Sequence, residues 1–488
     1  YVSPEGKAVT YSAENVPFKP KKYLKINPNG VEEGDFVFML GYPGRTFRHR
    51  PAQYLAYQQN YLLPYISDLY AYGIETLEEI SKDNKELKLA YASRIKGLAN
   101  VMKNYRGKLK GLRRIDLLNK KIDEEKQLQD FINSDKNLQP IYGNLFKEID
   151  NVFENVNALA EADLWMRQIV NISTSVAHTN FLLTYTEEMQ KPEEERNRAV
   201  TSRFQQSLSS ITNSRNIYNR NFEERMLKKM IKDALGFKES SHIKALSSYG
   251  INDERGIGEF VENVVMKSKI LDQEYFNTLL EKTYDEIMLI DDPLLKFVKL
   301  IKEQNEEIQR QNEINEGKLN KLYGDLVDVK MRWKKTNFIP DANSTLRLTY
   351  GYIKGYNPAD AVYMEPFTSI DGVIEKSTTG IEDFAIPDKL KTLYDKQDFG
   401  KYVSSKRNIL PVGMLYNMDT TGGNSGSPIL NAYGEIVGVN FDRAYEATIN
   451  DFAWNESYSR SIGVDIRYVL WVLDKFSGAE NILKELNL

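Results

Sequence analysis

The segment Thr420–Pro428 carries side chains arranged for nucleophilic chemistry. It reads Thr-Thr-Gly-Gly-Asn-Ser-Gly-Ser-Pro, with Ser425 between small and flexible residues. Glycines let the backbone turn tightly and let a substrate carbonyl group come close to it. Such a loop can present one hydroxyl for attack and direct backbone N–H groups at the oxyanion that results. The pattern differs from the G-x-S-x-G elbow because Ser427 stands at its fifth position. A glycine-rich loop without a catalytic role is the alternative.

The chain contains three histidines, and none of them stands in a motif typical of a catalytic base. A nucleophilic serine usually needs a histidine to accept its proton and an acid to orient that histidine. His49 lies in the basic run Arg45–Arg50, His178 in a segment with a helical pattern, and His242 in a polar connection. Either the base lies on polypeptide outside these 488 residues or the interpretation as a protease is wrong.

Composition narrows the remaining possibilities. A chain of 488 residues is long enough for two or three domains. It has 65 Lys and Arg against 69 Asp and Glu, so the net charge of −4 gives no general attraction to nucleic acid or anionic lipid. The absence of cysteine excludes disulfides, thiolate catalysis and cysteine zinc sites. No segment approaches the 18 or more apolar residues that a membrane span needs.

The order of secondary structure places the Thr420–Pro428 loop in the last of three zones. In residues 1–46, an apolar run over 35–40 is closed by a Gly-Tyr-Pro-Gly turn and predicts a buried strand. Residues 341–488 return to β patterning, with alternation over 346–352 and a helix expected near Asp465. Between them, residues 47–340 have helical periodicity along 91–112, and further helices are predicted near 53–80, 115–133, 143–190, 195–235 and 274–336.

Four motifs, in the same order along the chain, resemble the bacterial dipeptidyl-peptidase 7/11 family of serine exopeptidases. They are Gly41–Thr46, Asp341–Gly351, the loop around Ser425, and Ser461–Leu470. The resemblance extends through essentially the whole chain. It implies an enzyme that releases dipeptides from free peptide N-termini.

The resemblance also implies the architecture. The expected fold class is α+β, a chymotrypsin-like double β-barrel with a large inserted α-helical domain that caps the active site. Residues 1–46 would end the N-terminal part of the barrel domain, 47–340 would form the insertion, and 341–488 the C-terminal barrel. Family members are longer at the N-terminal side, which carries the catalytic His and Asp. We therefore expect this chain to need that N-terminal segment, and to be nearly inactive without it.

Site residues follow from the resemblance position by position. Ser425 would be the nucleophile, and the N–H groups of Gly423 and Ser425 would form the oxyanion hole. Asp442 would pair with the free α-ammonium group of the substrate, and Asn100, whose register is looser, would help to hold the same amine. A solvent-facing turn acid is the alternative role for Asp442.

Arg443 separates the branches of the family. Members with arginine at this position take Asp or Glu at P1, because a guanidinium can bind a carboxylate through two hydrogen bonds. Members with glycine there accept apolar P1 side chains. A structural salt bridge, with Glu446 as the nearby acid, is the competing role for Arg443. Other functions left open are a trypsin-like glutamyl endopeptidase and a non-catalytic helical binding module.

The substrates, the assembly and the location rest on the resemblance, whereas composition speaks against nucleic acid and a membrane span. We expect peptides with a free N-terminus as substrates, no metal or other cofactor, no nucleic acid and no membrane span. The family further implies a homodimer in the periplasm or at the cell surface of a Gram-negative bacterium.

Overall fold

In the computed structural model, which describes residues 1–251 and 253–488, a helical unit interrupts a β unit. The β unit comprises Tyr1–Arg48 and Pro340–Leu488, and the helical unit comprises His49–Ile339. This mixed and mostly helical architecture confirms the predicted α+β class. Because compactness does not show that a segment folds independently, the three predicted domains (1–46, 47–340 and 341–488) stay predictions.

The β unit is built on one antiparallel sheet of seven strands in the order β2-β1-β7-β8-β9-β6-β5. Strands β3 and β4 form a separate pair. The strands are β1 (Phe36–Gly41), β2 (Arg347–Tyr352), β3 (Tyr356–Ala359), β4 (Val362–Met364), β5 (Phe367–Ser369), β6 (Pro411–Tyr416), β7 (Pro428–Asn431), β8 (Ile436–Arg443) and β9 (Ser461–Asp465).

The sheet curls back on itself. An isolated antiparallel bridge joins Ile353, just after β2, to Tyr416 at the end of β6. The inner face is filled by apolar side chains that include Val37, Met39 and Ile429. The core of the β unit therefore lies inside the curled sheet, and the loop between β6 and β7 emerges from its rim.

The outer face of β1 and β2 is apolar but uncovered. Burial alternates along β1, with Val37 and Met39 inside and Leu40 48% exposed. On β2, Leu348 is 61% and Tyr350 is 65% exposed. The expectation that β1 is a buried strand is therefore wrong for one of its two faces, on which Leu40 is exposed and Phe36 and Phe38 are only half-buried.

The described residues form nineteen α-helices, fifteen of them in the helical unit. Helix α15, with 42 residues, packs against α6 and α7. The helices are α1 (Ala52–Tyr57), α2 (Leu63–Ser81), α3 (Lys85–Arg114), α4 (Leu117–Ser134), α5 (Gln139–Tyr142), α6 (Leu145–Ile172), α7 (Thr174–Gln190), α8 (Arg198–Ser202), α9 (Phe204–Asn216), α10 (Arg220–Leu235), α11 (Lys244–Ser248), α12 (Glu254–Phe260), α13 (Gln273–Leu280), α14 (Tyr284–Met288), α15 (Pro293–Lys334), α16 (Ile370–Ser377), α17 (Asp388–Asp395), α18 (Ile466–Trp471) and α19 (Glu480–Glu485).

Carboxylates hold the starts of two helices in the helical unit. Asp292 caps α15 by accepting a hydrogen bond from the backbone N–H of Leu294 at 2.8 Å, and proline occupies the first turn. Glu125 on α4 accepts from the backbone N–H of Ala52, at the start of α1, at 2.7 Å. Burial raises the pKa of Glu125 to about 7.

Within the described ranges, no helix has both the length and the apolar character needed to cross a membrane.

A buried ion cluster joins the segment before β1 to the start of α18. The guanidinium of Arg467, which is 2% exposed, donates to Asp465 at 2.7 and 2.9 Å and to Glu32 at 3.0 Å. Burial raises the pKa of Asp465 above its ordinary value, although Arg467 opposes this. Arg407 lies at the more exposed edge of the cluster, 2.9 Å from Glu33. The cluster thus anchors the first segment of the β unit to its last strand.

Candidate active site

Ser425 lies in the loop between β6 and β7 and is exposed. Its Oγ donates a hydrogen bond to the backbone carbonyl of Phe441 on β8, at 3.2 Å. The next residue, Gly426, has a φ of +84°, which glycine adopts at little cost. The N–H of Gly426 donates to the carbonyl of Asn440 at 2.8 Å. This turn presents the Ser425 hydroxyl at the rim of the sheet, beside the last residues of β8.

Two buried asparagines hold the loop in place. Asn424, 1% exposed, accepts a hydrogen bond from the backbone N–H of Thr421 at 3.1 Å through Oδ1. Its backbone carbonyl accepts from Nδ2 of Asn440 at 3.0 Å, and Oδ1 of Asn440 accepts from the hydroxyl of Tyr416 at 2.5 Å. Sequence reasoning missed these residues. Asparagine in a tight turn is a usable signal for Asn424, but the partners of Asn440 lie on other elements.

Gly423 is placed where only glycine fits. Its φ is +104°, and a Cβ built there would lie 2.3 Å from the carbonyl oxygen of Tyr42 and 2.8 Å from the backbone nitrogen of Gly44. The N–H of Gly44 also donates to the carbonyl of Gly422 at 2.6 Å. Within residues 1–251 and 253–488, neither the N–H of Gly423 nor that of Ser425 donates to a protein acceptor. Both donors are therefore available to an anion at this turn.

A β-bulge shapes the end of β8. Asn440 pairs with Gly463 on β9, whereas Asp442 pairs with Ile462, so Phe441 is the additional residue. Because a bulge interrupts the inside–outside alternation, Phe441 and Asp442 are both exposed although they are adjacent. The carboxylate of Asp442 accepts from the backbone N–H of Arg443 at 2.8 Å. The strand thus presents a fixed and solvated carboxylate close in sequence to the contact of Ser425 with β8.

Arg443 forms an ion pair, but not with the acid that sequence proximity suggests. Its Nη1 lies 2.8 Å from Oδ1 of Asp451, and both side chains are 10% exposed. The carboxylate of Glu446 instead accepts from the hydroxyl of Tyr356 at 2.6 Å. The pairing of Arg443 with Glu446 is therefore wrong, because the turn after β8 directs Asp451, rather than Glu446, at the guanidinium.

Arg48 holds the segment that carries Asp451. Its guanidinium donates to both carboxylate oxygens of Asp419, at 2.5 and 2.8 Å, and to the carbonyl of Asn450, at 2.8 and 3.0 Å. The N–H of Phe47 donates to the carbonyl of Asp451 at 2.6 Å. Burial is the largest influence and opposes the charge of Arg48, but the hydrogen bond to Asp419 and the negative charges of Asp419, Asp341 and Asp451 together raise the pKa of Arg48. Sequence reasoning noticed this basic run only as the surroundings of a histidine.

The three histidines all belong to the helical unit, where each has a structural partner. Nε2 of His49 lies 2.9 Å from the carbonyl oxygen of Ile339. Nε2 of the fully buried His178 lies 2.8 Å from the hydroxyl of Ser214. The ring of His242 lies 2.5 Å from a serine hydroxyl five positions along the chain. Their contacts are typical of structural histidines.

Asn100 lies on α3 of the helical unit and is exposed. The structure thus leaves its amide at a solvent-facing helix position, where it can reach a ligand. Its role toward a substrate amine stays a prediction.

The described residues therefore supply the parts for acyl transfer except a base. A hydroxyl and two backbone donors lie on one turn, and a carboxylate and a guanidinium lie at the end of β8. No group of three or more histidine, aspartate or glutamate side chains in residues 1–251 and 253–488 is placed to hold a metal ion.

Comparisons with known proteins agree with this chemistry. The Asp/Glu-specific dipeptidyl-peptidase of Shewanella putrefaciens is 29% identical over 518 residues, covering 100% of this chain and 69% of the relative. That of Flavobacterium psychrophilum is 30% identical over 493 residues, covering 100% and 68%. Dipeptidyl-peptidase 7 of Capnocytophaga gingivalis is 29% identical over 500 residues, with the same coverage of 100% and 68%.

Solved structures and family membership give the same result. A crystal structure of Porphyromonas endodontalis DPP11 in complex with the dipeptide Arg-Glu superposes with a TM-score of 0.79 at 25% identity, covering 100% of this chain and 69% of that one. The crystal structure of DPP11 from the same organism, without a named ligand, superposes with a TM-score of 0.80, covering 100% and 70%. The profile of the Peptidase S46 family matches residues 1–488. The chain thus belongs to peptidase S46, a family of serine dipeptidyl-peptidases.

Proposed function

We propose that the full-length protein is a serine exopeptidase that releases N-terminal dipeptides with Asp or Glu at P1. The observation that carries this proposal is the turn at Ser425. Its exposed hydroxyl contacts Phe441, the residue before Asp442 and Arg443, and the N–H groups of Gly423 and Ser425 donate to no acceptor among the described residues. The names of the relatives leave P1 specificity open, because the Asp/Glu-specific enzyme of Shewanella putrefaciens and dipeptidyl-peptidase 7 of Capnocytophaga gingivalis are both 29% identical to this chain.

In the proposed reaction, Ser425 Oγ attacks the carbonyl carbon of the second substrate residue and loses its proton to a base. The N–H groups of Gly423 and Ser425 stabilise the oxyanion, and each such donor contributes about 3–4 kcal/mol to transition-state binding. The base then returns this proton to the amine of the leaving group, so that collapse expels the shortened peptide and leaves a dipeptidyl ester on Ser425. Water then hydrolyses this ester, with the same base accepting a proton from the water.

We propose that this base is a histidine on an N-terminal segment outside the 488 residues, together with its orienting aspartate. The structural contacts of the three histidines present support this, as does the greater length of the relatives. The curled sheet would then be the C-terminal half of a chymotrypsin-like double β-barrel, with residues 47–340 as the inserted helical domain. The 488 residues alone are expected to be nearly inactive, because loss of triad members leaves only about 10³–10⁴-fold acceleration over water.

Asp442 would set the length of the product. A carboxylate that pairs with the substrate's α-ammonium group fixes the distance from the N-terminus to the scissile bond, and Asn100 would hold the same amine. Because Asp442 is exposed in the free chain, it is solvated until a substrate covers it. An acylated N-terminus would remove water from this carboxylate without replacing the lost hydrogen bonds, which disfavours blocked peptides.

Two fluorogenic peptides test the exopeptidase proposal on the full-length protein. One carries a free dipeptide with Asp at P1, and the other is its N-acetylated twin. We expect cleavage of the free peptide at least 100-fold faster, since hydrogen bonds to charged groups contribute about 1.5–3 kcal/mol each. Equal cleavage of both would indicate a glutamyl endopeptidase, and failure of an organophosphonate to label Ser425 would indicate a non-catalytic binding module.

A second candidate is a dipeptidyl-peptidase with an apolar P1 preference. The ion pair between Arg443 and Asp451 favours it, because the guanidinium charge is already balanced. The variant Arg443→Gly separates the two candidates. Loss of Asp and Glu cleavage with gain at apolar P1 supports the acidic preference, and an unchanged profile contradicts a role of Arg443 in the P1 pocket. The homodimer and the periplasmic or cell-surface location remain proposals that rest on the family resemblance.

A further inference from the structure

Asp451 stands between the proposed P1 selector and the nucleophile loop. One oxygen of its carboxylate, Oδ1, accepts from Nη1 of Arg443 at 2.8 Å and from the hydroxyl of Thr421 at 2.6 Å. Asp451 is 7% exposed, so little water competes for these bonds. A carboxylate oxygen shared by two donors fixes both of them, because neither can move without losing a charge-assisted bond in a poorly solvated place.

The bond to Asp451 uses only Nη1 of the Arg443 guanidinium. Neither its Nε nor its Nη2 donates a hydrogen bond to any of the described residues. These two nitrogens form the edge of a guanidinium that binds a carboxylate through two parallel hydrogen bonds. Asp451 therefore orients the group and leaves the binding edge open.

The same ion pair weakens the attraction that the edge can exert. Arg443 and Asp451 together carry no net charge, and both are largely removed from solvent. A P1 carboxylate at the open edge would be attracted by the guanidinium and repelled by the carboxylate behind it. Because screening by water is reduced at such a site, this repulsion is significant at the distance of one guanidinium group.

Thr421 connects this pair to the catalytic turn. Besides its hydroxyl bond to Asp451, its backbone N–H donates to Oδ1 of Asn424, and its carbonyl accepts from the N–H of Asn424, both at 3.1 Å. Asn424 directly precedes Ser425 in the chain. A displacement of Asp451 would thus reach the nucleophile turn through two hydrogen-bonded residues.

We infer that Asp451 is a positioning and specificity-determining residue: it orients Arg443 and Thr421 through one oxygen, and its charge limits the preference of the P1 pocket for acids. This inference rests on the proposed function. A purely structural ion pair and the positioning role predict different P1 preferences when Asp451 loses its negative charge but keeps an oxygen that accepts hydrogen bonds. Asp451→Asn makes that change, because an amide oxygen can accept from both donors.

The experiment uses the full-length protein and two free dipeptidyl reporters, one with Asp and one with Asn at P1. The reporters have nearly the same shape and differ in charge. For Asp451→Asn we expect the ratio of kcat/KM for Asp over Asn to rise about tenfold, through a lower KM for the Asp reporter at unchanged kcat. Asp451→Ala, which removes the acceptor, should lower kcat with both reporters.

Two further variants serve as controls. Glu446→Gln removes a negative charge three residues from Arg443, from an acid whose carboxylate is bonded to a tyrosine, and should change the ratio less than twofold. Thr421→Val removes only the link to the loop, and should slow organophosphonate labelling of Ser425 while leaving the ratio unchanged. If Asp451→Asn does not fold, Asp451→Ser replaces it. Serine also removes the charge, although its shorter side chain does not reach both donors, so the Asp/Asn ratio should again rise while kcat falls with both reporters.

The outcomes separate this inference from the proposed function. If the unmutated protein does not release dipeptides, or Arg443→Gly leaves its P1 profile unchanged, the proposed function fails. If acids are preferred and Arg443→Gly abolishes the preference, the function stands. An unchanged or lower Asp/Asn ratio in Asp451→Asn would then overturn the inference alone.

Discussion

Replacing Gly423 by alanine should damage the catalytic turn more than any change of equal size beside it. The new Cβ would lie 2.3 Å from the carbonyl oxygen of Tyr42 and 2.8 Å from the nitrogen of Gly44. Both neighbours are backbone atoms, so neither can rotate away. The loop or the segment after β1 must move instead, and with it the N–H group that would bind the oxyanion.

The magnitude has two parts. A residue with a side chain held at a φ of +104° costs about 1–3 kcal/mol, and forcing an additional carbon into a packed contact costs a similar amount. We therefore expect Gly423→Ala to lower the free energy of unfolding of the β unit by about 2–6 kcal/mol. Misdirecting one oxyanion donor should reduce kcat by about 10²–10³-fold in the full-length protein.

Gly422→Ala is the matched control, because a Cβ at Gly422 meets no atom within 4 Å. Urea unfolding of the 488-residue chain measures the stability of both variants. The turnover of the free dipeptidyl reporter by the full-length protein measures the catalytic loss. We expect Gly422→Ala to stay within about 1 kcal/mol of the parent chain.

The reasoning would be refuted if Gly423→Ala matched Gly422→Ala in both assays. Equal stability would mean that the contact with the segment after β1 is not tight. Equal turnover at reduced stability would mean that the Gly423 amide does not take part in oxyanion binding.

Two predictions concern charge elsewhere in the molecule. Glu125 has a raised pKa of about 7 in the folded state, whereas it releases its proton near pH 4.5 in the unfolded chain. Its contribution to the free energy of unfolding is therefore fully present below about pH 4.5 and is lost as the pH rises through 7. Between pH 5 and pH 8, urea unfolding should show that the free energy of unfolding falls by at most about 3 kcal/mol. Glu125→Gln should reduce this difference, whereas Asp123→Asn on the same helix should not. An unchanged pH dependence in Glu125→Gln would contradict the assignment. Arg467→Met should cost about 3–5 kcal/mol by leaving Asp465 buried without its partner, whereas Arg407→Gln, at the exposed edge, should cost about 1 kcal/mol or less. Equal losses in thermal unfolding would show that burial of the cluster does not decide its contribution.

Local sequence patterns predicted the turns, strands and helix starts that depend on residues close to one another in the chain. The loop at Ser425 and the hairpin after it are found where glycines and alternation placed them, and α18 begins directly after its cap at Asp465. The stretch predicted as one helix over 143–190 is interrupted at Ser173, which caps α7 by accepting from the N–H of Val176 at 3.1 Å. The cluster Ser173–Ser175, which contains a threonine between two serines, is a local pattern that indicates this helix start.

Contacts between distant segments were beyond the reach of sequence patterns. Proximity in the sequence suggests Glu446 as the partner of Arg443, although the chain turns to bring Asp451 to the guanidinium. Nothing local indicates that Arg48 binds Asp419, some 370 positions further along. Burial of only one face of β1 also depends on which other segments cover the sheet, and apolar character alone does not show that.

The position of β1 in the sheet has a consequence for folding. Its Phe38 pairs with Leu430 on β7, about 390 residues further along the chain. At a synthesis rate of about 5–20 residues per second, β1 waits roughly 20–80 s for this neighbour. The helical unit, whose core uses contacts within residues 49–339, can fold during that interval. Until the last third of the polypeptide emerges, β1 is an apolar strand without its hydrogen-bonding partners and must be kept from aggregation. We therefore expect the supply of chaperones, rather than the stability of the folded protein, to limit the yield of this fold.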